Sequence, residues 1–378
     1  MPARQAPIIL RTSERRSAKR CPQQWWWAWR QGLVPIGSIS DALWFGIGTH
    51  ISLAEWYSKK GLKRGRHPAE TFTKWAEGEL RFIKTSERTG NGAASTTLDK
   101  IEPAMELGVA ILNGYVEEYG KDDNWDVIQA EQTFQVDVMD PNDIARLLGI
   151  YVGTYDLVYR DLRTLLVWLG EHKTARAVRL EHLQMDDQAG GYWLVAAQSL
   201  RAKKLIGPKE RLEGIMYNFL RKALSDQRPR DEKGLYCNKP TKADYLNALI
   251  DVDEWTEEEL GKMKLDALEG IAAGNHIEVL GEPSKSQPTP YFVREPVYRT
   301  AKERATQLSR IQDEMLVMAA MRDGTIPILK TPTIDCPNMC SFFRMCSLHE
   351  QRSNWQELRD ASFKVQDPYA DHRKSTEE

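Results

Sequence analysis

The stretch from Leu148 to Lys173, LGIYVGTYDLVYRDLRTLLVWLGEHK, decides the fold. Its two halves, Leu148–Tyr159 and Thr164–Lys173, are rich in Val, Leu, Tyr and Trp, residues that suit the pleated and half-buried positions of a sheet. The polar link Arg160–Arg163 is short enough for a hairpin. We therefore predict two neighbouring antiparallel strands.

Further regular elements are predicted on both sides of this hairpin. Strands are expected at Asp126–Val138 and at Leu212–Leu220. Helical periodicity is expected from the Ser40-Asp41 cap to about Lys60, at Ala69–Lys84, at Leu98–Tyr119 and at Leu183–Leu200. The polar segment Ser86–Thr97 is expected to be a loop. The order of helices, three strands, helix and strand predicts an α/β fold, with a mixed sheet flanked by helices.

Composition restricts the class of protein. The 378 residues are 41% hydrophobic and 28% charged. No apolar run approaches the ~18 residues of a membrane span. The first thirty residues are basic, but no apolar signal segment follows them, so a cytoplasmic location is expected. The net charge of −2 argues against a uniformly basic nucleic-acid coat and leaves room for local basic strips.

The hairpin carries acids and a lysine in a pattern that suits phosphodiester hydrolysis. Asp156 lies in the first strand, while Glu171 and Lys173 lie on one face of the second strand, with His172 on the other. Two carboxylates can hold one or two divalent ions, such as Mg²⁺ or Mn²⁺. A lysine beside them can position or deprotonate the attacking water, or hold the phosphate. Taken alone, the same spacing also occurs in ordinary solvent-facing charges.

The cysteines form a second pattern. Cys336, Cys340 and Cys346 give C-x3-C-x5-C, from which three thiolates can converge on one metal centre. Thiolates select zinc or iron–sulfur clusters, and this spacing differs from the C-x2-C of zinc knuckles, which favours iron. Zinc and buried structural cysteines stay open as alternatives. A fourth ligand would come from Cys21 or Cys237.

A series of motifs resembles the RecB-type branch of the PD-(D/E)xK nucleases. In chain order they are Gly46 to His50, Gly153 to Asp156 (G-x-x-D), Glu171 to Lys173 (E-x-K) and Gln188 to Tyr192 (Q-x-x-x-Y). The resemblance implies metal ligation by His50, Asp156, Glu171 and the backbone carbonyl of His172. It further implies that Lys173 serves the nucleophile and that Gln188 and Tyr192 contact the DNA strand. Glu131, in the preceding strand, is a further candidate ligand or phosphate-positioning group. Without the motif order, His50 would be interpreted as a core histidine.

The same resemblance implies a role for four cysteines. AddB-type and CRISPR-associated members have one cysteine before the nuclease core and three after it, which together bind a 4Fe–4S cluster. Carried over, the ligands are Cys21, Cys336, Cys340 and Cys346, and Cys237 is a spare structural thiol. The cluster is expected to stabilise the fold and to shape the DNA-binding surface, since hydrolysis requires no electron transfer.

Six regions are expected along the chain. They are a basic arm with the first cluster cysteine (1–37), a helical part with His50 (38–125), the nuclease core (126–225), an insertion of unknown role (226–295), a helix followed by the cysteine cluster (296–350) and a loose polar tail (351–378). The helix of the fifth region is predicted at Pro296–Ala320.

These features predict a metal-dependent DNA exonuclease that acts on single strands or DNA ends. The resemblance places it in phage or prokaryotic replication, recombination or repair, with phage-encoded exonucleases as the nearest look-alikes. A homo-oligomer or a replication or recombination partner is also envisaged. Basic side chains are expected to line a path for the DNA backbone at Arg201, Lys203, Lys204, Arg299 and Lys302. The contrasting hypotheses are a non-catalytic iron–sulfur or zinc module that binds DNA ends, and a zinc-stapled structural protein.

Overall fold

The structure, a computed structural model, describes residues 7–36, 41–88, 98–250 and 255–370. The chain forms two compact units, residues 224–291 and the remainder, and the remainder holds every predicted site residue. Ser40 lies outside the described residues. So does most of the loop expected at Ser86–Thr97, whose first three residues belong to a helix. Among the described residues, no helix is long and apolar enough to cross a membrane.

The larger unit is built on a six-stranded mixed sheet. The chain's strands are β1 (Ile8–Leu10), β2 (Leu33–Pro35), β3 (Trp125–Asp140), β4 (Asp143–Asp161), β5 (Leu166–Ala175), β6 (Leu212–Arg221), β7 (Phe292–Val297) and β8 (Phe363–Val365). The main sheet runs in the order β1–β4–β5–β6–β7, and β3 also pairs with β4. The β1–β4 and β5–β6 pairs are parallel and the other pairs of this sheet are antiparallel. The strands predicted at β3, β4, β5 and β6 are confirmed.

Helices cover both faces of this sheet. Among the described residues, the α-helices of the chain are α1 (Thr12–Arg20), α2 (Pro22–Trp25), α3 (Asp41–Trp56), α4 (Pro68–Arg88), α5 (Leu98–Tyr119), α6 (Asp187–Ala202), α7 (Lys242–Leu249), α8 (Glu257–Lys262), α9 (Leu265–Gly274), α10 (Ala301–Arg322), α11 (Cys336–Met339), α12 (Phe343–Glu350) and α13 (Trp355–Ser362). One apolar core joins the sheet to α3, α4 and α5, and another joins it to α1, α6 and α10. The predicted mixed sheet flanked by helices is therefore confirmed.

One edge of β4 is shared by two strands that do not meet. β1 pairs with Gly149 to Tyr151, and β5 pairs with Leu157 to Asp161. Between these pairings, residues 152–156 have only β3 as a strand neighbour. On its other edge β5 continues alongside β6 as far as Arg221, so β4 and β5 separate just beyond the Leu157–Gly170 pair. This separation opens the sheet where Asp156 and Glu171 lie.

The described residues at both ends of the chain are part of the folded structure. The basic arm contributes β1 and α1, and the aromatic stretch after it forms α2 and a π-helical turn, Trp26–Arg30. The expected loose tail is wrong as far as residue 370, because α13 is followed by β8, which pairs with β2, and Tyr369 is buried. The helix predicted from Pro296 begins only at Ala301, because residues 292–297 form β7.

In its described residues, 224–250 and 255–291, the smaller unit holds three short helices and long connections. Thr241 and Thr256 cap α7 and α8, each in a reciprocal capping box with an acid three residues later. A small apolar core is formed by Leu249, Leu260, Leu268 and Ala272. Cys237 is buried within this unit and donates its thiol to the carbonyl of Leu235.

Candidate active site

Asp156 occupies the point where β4 and β5 separate. Its Oδ2 accepts the backbone N–H of His172 at 2.7 Å and lies 3.4 Å from Nδ1 of His50 on α3. The carboxylate therefore accepts a backbone N–H of β5 that is not paired with the backbone of β4, because the two strands have separated at this point. Asp156 is buried, so its orientation is fixed by the backbone of two strands and by one helix.

Glu171, Lys173 and Gln188 form a compact group on the neighbouring strand and helix. Glu171 accepts hydrogen bonds from Nζ of Lys173 and, at 2.7 Å, from Nε2 of Gln188. Lys173 also donates to Oε1 of Gln188 at 3.1 Å. The Gln188 amide therefore bridges the acid and the lysine. As predicted from strand alternation, Glu171 and Lys173 share a face, and Gln188 at the start of α6 closes over them.

A metal-ligating group lies beside these residues. Ligand atoms of His50, Glu131 and Asp156 all lie within 4.8 Å of one another, and no other group of three or more His, Cys, Asp or Glu does so in the described ranges. Glu131 lies in β3 with a φ of 48°, a left-handed conformation that is costly for a non-glycine residue in a strand. Carboxylate oxygens and an imidazole suit a divalent ion. We use "the cleft" for His50, Glu131, Asp156, Glu171 and Lys173.

The charges of the cleft shift one another's pKa values. Burial lowers the pKa of His50, but attraction to Asp156 outweighs it and raises the pKa to about 9. Burial raises the pKa of Asp156, yet His50 brings it down to about 2. Desolvation, followed by repulsion from Asp156, raises the pKa of both Glu131 and Glu171 to about 7. Crowded acids with divergent pKa values are typical of functional sites, and a divalent cation would relieve their repulsion.

His172 faces away from Glu171 and Lys173. Its ring stacks on Tyr57 with 5.9 Å between centroids, and its Nδ1 is 2.9 Å from Nδ2 of Asn218. Desolvation lowers the pKa of His172 to about 3, so the imidazole is neutral. The imidazole is therefore engaged in a buried network, and only the backbone carbonyl of His172 is left as a candidate ligand. No sequence signal pointed to Asn218 as its partner.

Tyr192 packs into the wall of the cleft. Its ring meets Phe134 and Tyr155 edge-on at centroid distances of 5.3 and 5.6 Å. It shares a hydrogen bond with Gln188, and burial raises the pKa of its hydroxyl. Two glycines of α6, Gly190 and Gly191, allow neighbouring side chains to approach this helix closely. A Cβ at Gly190 would lie 2.6 Å from Gln307, and one at Gly191 would lie 2.4 Å from the Tyr151 hydroxyl.

An open cavity of about 910 Å³ adjoins the cleft. His50 and Glu131 line it together with Ile47, Ile51, Ala54 and Arg66. The basic path proposed from the sequence is wrong for Arg299, which is buried and donates to the carbonyl of Leu183 at 2.9 Å. Arg66, which the sequence pattern did not single out, is exposed beside the cleft.

Four cysteines line a second cavity, of about 540 Å³, which we call the cysteine pocket: Cys21, Cys336, Cys340 and Cys346. Cys21 lies between α1 and α2, and the other three lie on or beside α11 and α12. The N–H of Thr333 donates to Sγ of Cys336 at 3.3 Å, which lowers the pKa of that thiol. The structure thus brings one cysteine from the N-terminal region to three from the C-terminal region.

The spacing of these sulfurs bears on what the pocket could hold. No three of the four lie within 4.8 Å of one another. The sulfurs are therefore not gathered around one point as four zinc ligands at about 2.3 Å would be. The four-thiol donor set itself is one that an iron–sulfur cluster takes.

A family model described as the PD-(D/E)XK nuclease superfamily matches residues 12–347. That range includes the cleft, helix α6 with Gln188, and all four cysteines of the cysteine pocket. A search of curated proteins finds no match.

Proposed function

Because the chain belongs to the PD-(D/E)XK nuclease superfamily, we propose that it is a metal-dependent DNA exonuclease acting on single strands or DNA ends. The observation that carries the proposal is the cleft itself. A His–Glu–Asp group able to hold a divalent ion lies beside a buried acid and lysine that share one amide bridge. Ordinary solvent-facing charges at strand ends would not be expected to cluster next to a buried carboxylate.

We assign metal binding to His50, Glu131 and Asp156, with Glu171 and the His172 carbonyl completing the shell. The oxygen-rich donor set suits Mg²⁺ or Mn²⁺. When bound, the ion neutralises phosphate charge and makes a water nucleophilic. Lys173, held by Glu171 and Gln188, then orients its ammonium towards the phosphate or the attacking water. Arg66 and the apolar wall of the adjoining cavity receive the strand next to the scissile bond.

The cysteine pocket is assigned a 4Fe–4S cluster held by Cys21, Cys336, Cys340 and Cys346. Its expected contribution is structural, because hydrolysis requires no electron transfer. Bound there, a cluster would join the segment before α2 to the segment around α11 and α12. A role in phage or prokaryotic replication, recombination or repair is part of the same proposal.

Cleavage of end-labelled DNA tests the activity. The wild-type protein should shorten linear single-stranded DNA with Mg²⁺ or Mn²⁺ and be inactive in chelator. Glu171→Gln and Lys173→Ala should each lose about 100-fold or more in rate, as expected when a catalytic group is removed. Glu213→Gln is the matched control, because this acid lies on neighbouring β6 in a partly exposed pair with Arg211.

The same assay separates the alternatives. Circular single-stranded DNA should resist an exonuclease, so its cleavage at the linear rate would favour an endonuclease. Unchanged cleavage in both cleft variants would reject the site. Tight binding to DNA ends without cleavage under any metal condition would instead favour the non-catalytic end-binding module.

A further inference from the structure

Helix α1 lies between the cysteine pocket and the cleft. Its last residue is followed by Cys21, whose backbone N–H bonds the carbonyl of Ser17 at 3.0 Å and thereby closes the helix. Two of its exposed basic residues, Arg16 and Lys19, bind acids at the beginning of α6, the helix that carries Gln188. One short helix therefore contacts the surroundings of both sites.

The contact with α6 is made through two adjacent acids. Oδ1 of Asp186 caps α6 by accepting the backbone N–H groups of Gln188 at 2.8 Å and Ala189 at 2.9 Å. Oδ2 of the same carboxylate accepts Nη2 of Arg16 at 2.8 Å. Lys19 pairs with the next acid, Asp187. The side chains of α1 thus bind the group that orients the first turn of α6.

The other face of α1 is fixed in the protein interior. Arg15 is fully buried and donates to Glu314 on α10 at 2.5 Å. The Thr12 hydroxyl lies 2.6 Å from the Tyr151 hydroxyl on β4. Because α1 is anchored to β4 and α10, its ion pairs with α6 have a rigid base.

The remaining link is the Gln188 amide. It donates to Glu171 and accepts from Lys173, so a shift of the first turn of α6 moves both hydrogen-bond partners. The Arg16 side chain is half exposed. An exposed ion pair contributes only about 0–1 kcal/mol to stability, so the pair with Asp186 matters more for position than for folding.

We propose that α1 is a strut in which Arg16 and Lys19 are positioning residues for Gln188, and through it for Glu171 and Lys173. The inference rests on the proposed function for its effect on catalysis. Its structural part, the holding of the α6 N-terminus, is independent of any activity.

Two measurements on the full-length protein test the strut. The first is hydrogen exchange at the backbone amides of Gln188 and Ala189, which should speed up by up to about fivefold in Arg16→Ala and return in Arg16→Lys. The second is a double-mutant cycle of Arg16→Ala with Gln188→Ala, scored by single-strand cleavage. Arg16→Ala should lower the rate by up to about fivefold alone and by less than about twofold in the Gln188→Ala background.

The matched control is Arg163→Ala. Arg163 forms an ion pair of the same 2.8 Å length with Asp161, in the β4–β5 turn. It should change neither the exchange at Gln188 nor the rate. Unchanged exchange in Arg16→Ala, or equal fold-losses with and without Gln188, would overturn the strut. If the wild type cleaves no DNA, the proposed function fails and the exchange measurement alone decides the strut.

Discussion

The cleft and the cysteine pocket both collect side chains from distant parts of the chain, but they are held in different ways. The cleft is built on long paired strands, and its charged groups already bond one another: Asp156 binds the His172 N–H, and Glu171 binds Lys173 and Gln188. The cysteine pocket is built on one-turn helices at Cys21 and Cys336. Hydrogen bonds between its two sides include those from the Gln23 N–H to the Leu329 carbonyl at 3.0 Å and from Arg20 to the Met339 carbonyl at 3.1 Å.

Because of this difference, we expect the ion in the cleft to affect mainly activity and the group in the cysteine pocket to affect mainly stability. A site arranged by a strand ladder keeps its geometry without an ion, and the ion adds chemistry. A pocket whose ligands come from two ends of the chain gains its order from the group that it binds, since binding free energy then becomes folding free energy. We therefore expect metal removal to silence the cleft and to loosen the cysteine pocket.

The largest effect is expected from Cys21→Ser. Loss of one ligand should remove the iron and destabilise the protein by several kcal/mol, because the free energy of cluster binding is then lost from the free energy of folding. The measurements are iron and sulfide content, visible absorbance and thermal unfolding. Cys237→Ser is the control, since that buried thiol belongs to the smaller unit, and it should keep the iron. A colourless wild type with stoichiometric zinc would exclude the cluster.

A smaller effect, of opposite sign on stability, is expected from Glu171→Gln. Desolvation and Asp156 raise the pKa of this acid from 4.5 to about 7. The folded state therefore binds the proton more tightly than the unfolded state, a contribution present below pH 4.5 and lost as the pH rises through 7. At pH 8 in chelator the amide should raise the melting temperature, while hydrolysis is lost. A lower melting temperature for Glu171→Gln than for the wild type at pH 8 would show that the ionised Glu171 does not destabilise the folded state.

The third prediction concerns the pH dependence of metal binding. Without an ion, His50 has a pKa of about 9, so an ion that takes its imidazole must displace a proton. Apparent Mg²⁺ affinity should therefore rise by up to about tenfold per pH unit between pH 7 and 8.5, and more steeply below pH 7, where Glu131 also binds a proton. Calorimetry in buffers of different ionisation enthalpy measures how many protons are released for each ion that binds. His50→Ala should flatten the dependence above pH 7.

The smallest effect is expected from Glu131→Gln. This change removes one candidate ligand and should weaken Mn²⁺ binding about tenfold, with a matching rise in the Mn²⁺ concentration needed for cleavage. Glu55→Gln is the matched control, because Glu55 lines the same cavity and lies outside the ligand group. Equal effects of the two substitutions would mean that Glu131 contributes only general negative charge.

The sequence predicted the long strands of the main sheet but not the short strands β1 and β7 at its edges. Strands β3 to β6 were recognised because long β-branched and aromatic runs have few alternatives. The three-residue β1 was missed, since so short a strand is stabilised only by its pairing with β4. β7 is not predicted because its sequence, FVREPV, contains a proline and two charges. Its Arg294 is partly buried and is held there by bonds to Asp122 and Tyr115.

The sequence by itself determined the residue types, their order and their strand faces: Asp156 on one strand, Glu171 and Lys173 together on the next, and a cysteine triplet with soft ligands. These follow from local periodicity and chemistry. Only the tertiary structure decided that β4 and β5 separate at Asp156, that Glu131 turns towards His50, and that Arg16 on α1 binds the cap of α6. Such contacts join residues far apart in the chain, and their free energy depends on packing that no local pattern encodes.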